Sequence, residues 1–123
     1  MKLAITSTGE GLNASLDPHF GRARYLIVVD SETNAVETVS NAVNLNIAQG
    51  AGIQAAKRIM DLGAQTLITG QVGPKAAAAL QAGGVAVYAA AGRTVADALE
   101  AFRSGSLHAI TATTPGGQGE WPQ

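Results

Sequence analysis

The chain predicts an α/β domain with a mixed five-stranded sheet, helices on both faces and the element order βββαβαβα. Three observations predict this class. The first forty residues hold β-rich segments with no helical period. From residue 53 onward, apolar residues recur at helical spacing. In the second half, short strands alternate with helices, which is typical of a parallel sheet with right-handed crossovers.

Three strands are predicted before the first helix. Lys2–Ser7 alternates and is rich in β-forming residues, and Arg24–Asp30 holds a short β-branched run typical of a buried strand. Ala35–Ser40 alternates and is expected at an edge of the sheet. Between the first two strands, residues 8–20 are rich in glycine and turn-forming residues and predict a long loop.

Three helices are predicted in the second half, with strands between them. The predicted elements are a helix with its apolar stripe at Ile53, Ala56, Ile59, Met60 and Gly63, a strand over Thr66–Thr69, a helix over Lys75–Ala82, a strand over Val85–Ala89, and a helix that begins after the N-cap Thr94. Residues 106–123 have turn composition and are predicted to form a mobile tail. The domain is therefore expected to cover residues 1–105.

Composition excludes several function classes. The length of 123 residues suits one domain, and a net charge of −1 argues against a broadly basic nucleic-acid binder. The chain has no cysteine, which excludes disulfides, thiolate catalysis and cysteine-held zinc or iron–sulfur sites. Apolar runs are too short to span a membrane, and the N-terminus resembles a strand more than a signal peptide. We therefore expect a soluble cytoplasmic protein.

Positive charge is concentrated in the middle of the chain. Residues 38–96 carry Lys57, Arg58, Lys75 and Arg93 against Asp61 alone, a net charge of +3. This part of the chain is therefore the one expected to meet an anion.

One glycine motif matches a nucleotide-binding pattern. Residues 9–14 fit G-x-G-x-x-A after a strand, and Asp30 lies 19 residues past Gly11. That pattern needs a helix whose N-terminus faces the pyrophosphate, and Pro18 leaves room for only about one turn. A loop over the carboxyl end of the first strand is the favoured interpretation.

The segment from Asp17 to Arg24 holds the first candidate binding residues. Pro18 stiffens the chain and Phe20 can anchor inward, which presents His19 and Arg22 at the rim of the sheet. Imidazole can ligate a metal, and both side chains can donate hydrogen bonds to an anion. The alternative is structural: His19 satisfies backbone groups of the loop, and Arg22 pairs with Asp17.

Two further loops lie ahead of helices. Residues 41–52 contain side-chain amides, including Asn44, and the glycines Gly50 and Gly52, which together favour an anion site over an ordinary helix cap. Gly70 and Gly73 lie in the second strand-to-helix loop. Ligands of open α/β sheets bind outside the carboxyl ends of the strands. We therefore expect loops 8–22, 42–52 and 70–74 to converge there.

No catalytic constellation is visible. His108 lies in no motif, and no Ser/His/acid spacing suggests a triad. A two-metal nuclease with this βββαβα layout needs a carboxylate cluster, and Lys2–Ser7 contains no acidic residue. We therefore expect a binding protein and not an enzyme.

Three stretches together resemble a known family: Pro18–Ala23, Gly50–Ala56 and Ile68–Ala76. They are similar to the dinitrogenase iron–molybdenum cofactor biosynthesis accessory family over about residues 1–105. The resemblance implies a three-layer, ribonuclease-H-like fold and non-catalytic binding of an anionic metal–sulfur cluster. In the orange-protein-like branch of the family, this is a molybdenum–copper sulfide cluster held without thiolate bonds.

The resemblance also implies a set of binding residues. Those carried over from the matching stretches are His19, Phe20, Arg22, Gly50, Gly52, Gly70 and Gly73. Asn44 joins them from the amide-rich loop, and His19 is the candidate metal ligand. Some relatives carry Cys or extra His residues, and this chain has none near the second loop. This favours the molybdenum–copper sulfide cluster over the iron–molybdenum cofactor or its precursor.

The expected protein partners are an ATPase or a cofactor-assembly protein, with no nucleic acid and no membrane. Two other functions stay open on the residues alone. A small-molecule or phosphate-binding regulatory module would use the same helix N-termini. A pure interaction domain would bind neither ligand.

Overall fold

The fold is a single mixed sheet with helices on both faces. A computed structural model of the chain describes residues 1–41, 51–90 and 93–110. The elements within these ranges are β1 (Lys2–Ser7), β2 (Tyr25–Asp30), β3 (Val36–Ser40), α1 (Ala51–Asp61), β4 (Ala64–Thr69), α2 (Pro74–Ala82), β5 (Ala86–Ala89), α3 (Val95–Arg103) and β6 (His108–Ile110).

The strands form a sheet of order β3-β2-β1-β4-β5-β6. β1, β4 and β5 are parallel to one another, whereas β2, β3 and β6 each run antiparallel to their neighbours. β3 lies at the edge, as its alternating sequence predicts. Because β1 and β4 are neighbours and parallel, Ser7 and Thr69 end their strands at the same edge of the sheet, and both side chains are buried.

Helices cover both faces of the sheet, so the three-layer, ribonuclease-H-like α/β architecture is confirmed. α1 and α2 pack on one face, where small side chains such as Ala55, Ala56, Ala76 and Ala77 allow close approach. α3 packs on the other face. The residues buried beneath α3 include Leu3, Ile5, Ile27, Val29 and Ile68. Alternate residues of β1, β2 and β4 thus face opposite cores.

The predicted stripe of α1 is wrong at two positions, Ile53 and Gly63; Gly63 is exposed and lies past the end of the helix. Ile53 is 45% exposed, whereas Ala55, Ala56 and Ile59 are buried. At 3.6 residues per turn, Ile53 lies about 110° around the helix from the centre of that buried face. Gly63 has a φ of 81°, which supports its predicted role in ending the helix.

The sheet has six strands where five were predicted. β6 pairs antiparallel with β5 over three residues, His108 to Ile110. So short a segment shows no alternation that could separate it from the turn-rich sequence around it. Part of the predicted tail therefore belongs to the sheet, and residues 111–123 lie outside the described residues. No described helix is long and apolar enough to cross a membrane.

Candidate functional site

A cleft of about 370 Å³ opens at the edge of the sheet where β1 and β4 end. Two of the three predicted loops meet there. The lining residues are His19, Phe20, Gly21, Gly70, Gln71, Val72 and Gly73. Four of the eight predicted binding residues are therefore brought together. Gln71 and Val72 join them, although sequence reasoning did not select them; their position between two glycines of the same loop was the available signal.

The cleft has two walls, one formed by residues 19–21 and the other by residues 70–73, and backbone hydrogen bonds join them. The Gln71 N–H donates to the Pro18 carbonyl at 2.7 Å, and the Phe20 N–H donates to the Gln71 carbonyl at 3.2 Å. These two bonds place His19 and Gln71 opposite each other as a short parallel β-bridge. The walls are therefore held in one fixed register.

Gly70 allows the walls to approach this closely. A Cβ atom at Gly70 would lie 2.7 Å from the Pro18 Cα and 2.8 Å from the Pro18 carbonyl oxygen. Both are backbone atoms, so any side chain at this position requires the loop to move. The glycine predicted as a binding residue is thus required by the packing that forms the cleft.

Two buried threonines support the loop from below. The hydroxyl oxygens of Thr6 and Thr69 are 2.8 Å apart, and the Thr6 hydroxyl donates to the Asp17 carbonyl at 2.6 Å. Both threonines are 0% exposed. Thr69 ends β4 and Thr6 is one residue before the end of β1, so the pair fixes the start of the wall that carries His19. Sequence reasoning did not identify this pair, because residues 6 and 69 meet only in the folded sheet.

Phe20 and Asn41 serve mainly to hold the wall. Phe20 is 2% exposed and packs in the core under α1 and α2, as predicted for an inward anchor, and it also borders the cleft. Asn41 is buried; its Nδ2 donates to the Ala23 carbonyl at 2.8 Å, and its N–H donates to the Arg24 carbonyl at 2.9 Å. The Asn41 amide is therefore engaged within the protein.

His19 stands at the mouth of the cleft with a side chain that is 65% exposed. Its backbone N–H donates to Asp17 Oδ1 at 2.9 Å, and its Nδ1 lies 3.9 Å from the same oxygen. Over the ranges 1–41, 51–90 and 93–110, no three His, Cys, Asp or Glu side chains gather into a metal-binding group. If His19 binds a metal, the described residues around it do not complete a set of three such ligands.

The helices next to this edge differ at their N-termini. Gly73 caps α2 without a side chain, and no side chain in the described part of the protein accepts from the first turn of α2. In α3, the Thr94 hydroxyl accepts from the Asp97 N–H at 3.1 Å. The N–H groups next to the cleft thus have no side-chain cap, and an anion is favoured there by the helix dipole.

The loop over residues 9–14 closes the N-terminus of α3. The Val95 and Ala96 N–H groups donate to the carbonyls of Ala14 and Leu12, each at 2.8 Å. The G-x-G-x-x-A segment therefore presents carbonyl oxygens to a helix and does not begin one. This geometry is the opposite of that needed for a pyrophosphate, and it supports the loop interpretation.

The remaining predicted residues lie elsewhere or outside the described ranges. Arg22 is exposed on the turn after the cleft wall. Gly52 lies in the first turn of α1. Asn44 and Gly50 lie outside the described residues, so the convergence of the 42–52 loop on this cleft stays a prediction.

Comparisons with known proteins agree with this architecture. The sequence model of the family described as "Dinitrogenase iron-molybdenum cofactor" matches residues 1–105. The chain is similar to the apo form of the orange protein from Desulfovibrio gigas, with a TM-score of 0.86 and 43% identity, over 89% of this chain and 92% of that one. A NifB-like protein from Thermotoga matches with a TM-score of 0.80 and 36% identity, over 89% and 93% of the two chains.

A sequence relative comes from Methanocaldococcus jannaschii. This uncharacterized protein is 30% identical over 98 residues, which cover 77% of this chain and 82% of the relative. The match extends over most of both chains.

Proposed function

The chain belongs to the dinitrogenase iron-molybdenum cofactor family, and from that premise we propose that it binds and carries an anionic molybdenum-containing metal–sulfide cluster. The family and the similarity to the orange protein support a cofactor-binding or carrier role. The molybdenum–copper sulfide cluster is the cargo we propose first, ahead of the iron–molybdenum cofactor or its precursor. The observation that carries the proposal is the cleft beside the N-terminus of α2, which lacks a side-chain cap.

The chemistry of the cleft suits a cargo that brings its own sulfides. The chain contains no cysteine, and its described residues hold no group of three His, Asp or Glu side chains that could bind a metal, so a cargo that already carries its own sulfide ligands fits best. The residues that line the cleft include no Asp or Glu. Backbone N–H groups, the His19 imidazole and the α2 dipole can instead attract negative charge. The protein would hold the cluster by hydrogen bonds and electrostatics.

The size of the cleft favours a small cluster. Its volume of about 370 Å³ lies near the lower end of small-molecule sites, which span about 300–1,000 Å³. His19 is the sole titratable side chain among the lining residues, which supports binding over catalysis. We propose that a cofactor-assembly protein or an ATPase takes part in delivering or receiving this cargo.

Reconstitution tests the proposal. Apoprotein is mixed anaerobically with tetrathiomolybdate and a copper salt, desalted, and assayed for metal content and visible absorption. We expect coloured protein that retains molybdenum and copper, and we expect no retention when molybdate replaces tetrathiomolybdate. Colourless, metal-free protein after desalting would refute the proposal.

A phosphate-binding regulatory module is the second candidate. The uncapped N-terminus of α2 favours it as well, because phosphate binds at such positions. A thermal-shift screen separates the two functions. A rise in Tm with phosphate or a nucleotide, and none with tetrathiomolybdate, would favour the regulatory module.

A further inference from the structure

We propose that Gln71 is a further binding residue of the cleft, whose side-chain amide donates a hydrogen bond to the anionic cargo beside His19. The inference rests on the proposed function. It adds Gln71 to the binding residues that the sequence predicts.

The backbone fixes where the Gln71 side chain begins. Its N–H and its carbonyl both bond the opposite wall, at Pro18 and Phe20. Paired residues of a parallel bridge lie on strands about 4.8 Å apart and project to the same side. The side chains of Gln71 and His19 are therefore neighbours on one rim of the cleft.

The chemistry of the amide suits an anion of limited charge density. An amide carries two N–H donors and no net charge, so it can orient an anion without neutralising it. The Gln71 residue is exposed, and no hydrogen bond within the described residues engages its side chain. Neutral donors at the rim would let the cargo leave again, which a carrier requires.

A matched pair of charge substitutions tests this role. Gln71→Glu replaces the donor by a negative charge, and Gln81→Glu makes the same change at an exposed position in the last turn of α2. Gln71→Ala removes the donor alone. Binding of tetrathiomolybdate with copper is titrated for each variant at low and high salt, and Tm reports on folding.

Loss of one hydrogen bond to a charged group corresponds to about 10- to 100-fold weaker binding, which is expected for Gln71→Ala. Gln71→Glu should bind more weakly still at low salt, and its excess loss over Gln71→Ala should shrink at high salt because of screening. Gln81→Glu should stay within about twofold of the wild type.

Each outcome bears on the inference. Equal affinity of Gln71→Glu and Gln81→Glu overturns it, while retention of the cluster by the wild type leaves the proposed function intact. Unchanged affinity of Gln71→Ala overturns the donor role, and equal losses in Gln71→Glu and Gln71→Ala at every salt concentration overturn the placement of the anion beside this side chain, since a carboxylate there must repel it. A wild type that retains no cluster refutes the proposed function and this inference together.

Discussion

The substitution Gly73→Ser should stabilise the protein and weaken its binding of the cluster. Gly73 is the N-cap of α2, with φ −66° and ψ 159°, the extended conformation that capping residues adopt. A Cβ at this position meets no atom within 4 Å. The Gly73→Ser side chain can therefore accept from the first turn of α2 without strain.

The two effects have different sizes. Serine exceeds glycine as an N-cap by only a few tenths of a kcal/mol, so Tm should rise by about 1–2 °C. The serine oxygen would occupy an N–H group that the anion is proposed to use. Loss of one hydrogen bond to a charged group costs about 1.5–3 kcal/mol, or about 10- to 100-fold in affinity.

The matched control is Thr94→Ala at the N-cap of α3. Thr94 already caps its helix through the Asp97 N–H, so its loss should cost about 1 kcal/mol of stability. Cluster affinity should be unchanged, because α3 lies outside the cleft. Thermal melts and titration with tetrathiomolybdate and copper measure both quantities. A Gly73→Ser variant that binds as tightly as the wild type would refute an anion site at α2.

Two further predictions concern the scaffold of the cleft, and a third concerns the turn between β2 and β3. Gly70→Ala should destabilise the protein by about 1–3 kcal/mol in urea denaturation, because its Cβ would lie 2.7 Å from Pro18 Cα. Gly73→Ser is the control, because its Cβ meets nothing and serine is at least as good an N-cap as glycine. Equal stability of the two variants would contradict the packing argument. Thr6→Val should lower the free energy of unfolding by about 1–3 kcal/mol, because it removes the hydroxyl that donates to the Asp17 carbonyl. Thr8→Val, at an exposed threonine, is the control and should lower it far less. A Thr6→Val variant as stable as the wild type would show that this support is dispensable. The pKa of Asp30 is lowered from its ordinary 3.8, first by the Glu32 N–H and then by the Thr33 N–H. The charged Asp30 side chain therefore adds stability above its ordinary pKa, and this stability is lost as the pH falls through the lowered pKa. Asp30→Asn should be less stable than the wild type at pH 7 and equally stable well below pH 3.8. A difference in the free energy of unfolding that persists in acid would contradict this.

The sequence predicts the strands and helices well where periodicity is strong. β1 begins and ends at the predicted residues, and the starts of α2 and α3 follow from Pro74 and Thr94. These features are local, so a short window of sequence contains the signal. β6 was missed because its pairing with β5 is a long-range contact of only three residues. The exposure of Ile53 was not predicted, because the face of α1 that is buried depends on how α2 and the sheet pack against this helix.

The sequence predicts where in the fold the site lies, but only some of the residues that form it. The carboxyl ends of parallel strands share an edge, so loops that follow β1 and β4 had to lie close together. The contact of Gly70 with Pro18 and the bridge between His19 and Gln71 depend on the exact register of two distant segments. No spacing within either segment encodes that register. The roles of Gln71, Thr6 and Thr69 therefore required the structure.

The loops over residues 9–14 and 70–73 both contain glycines but have opposite roles at a helix N-terminus. The first supplies acceptors to α3, and the second leaves α2 without a side-chain cap. An anion at α3 would have to displace the Thr94 hydroxyl and the carbonyls of Leu12 and Ala14, each of which accepts from the first turn. Each such bond contributes about 1 kcal/mol net. At α2, an anion meets no side-chain cap within the described part of the chain. The competition among acceptors, and not the number of glycines, therefore favours α2 over α3 as the place for the proposed anion.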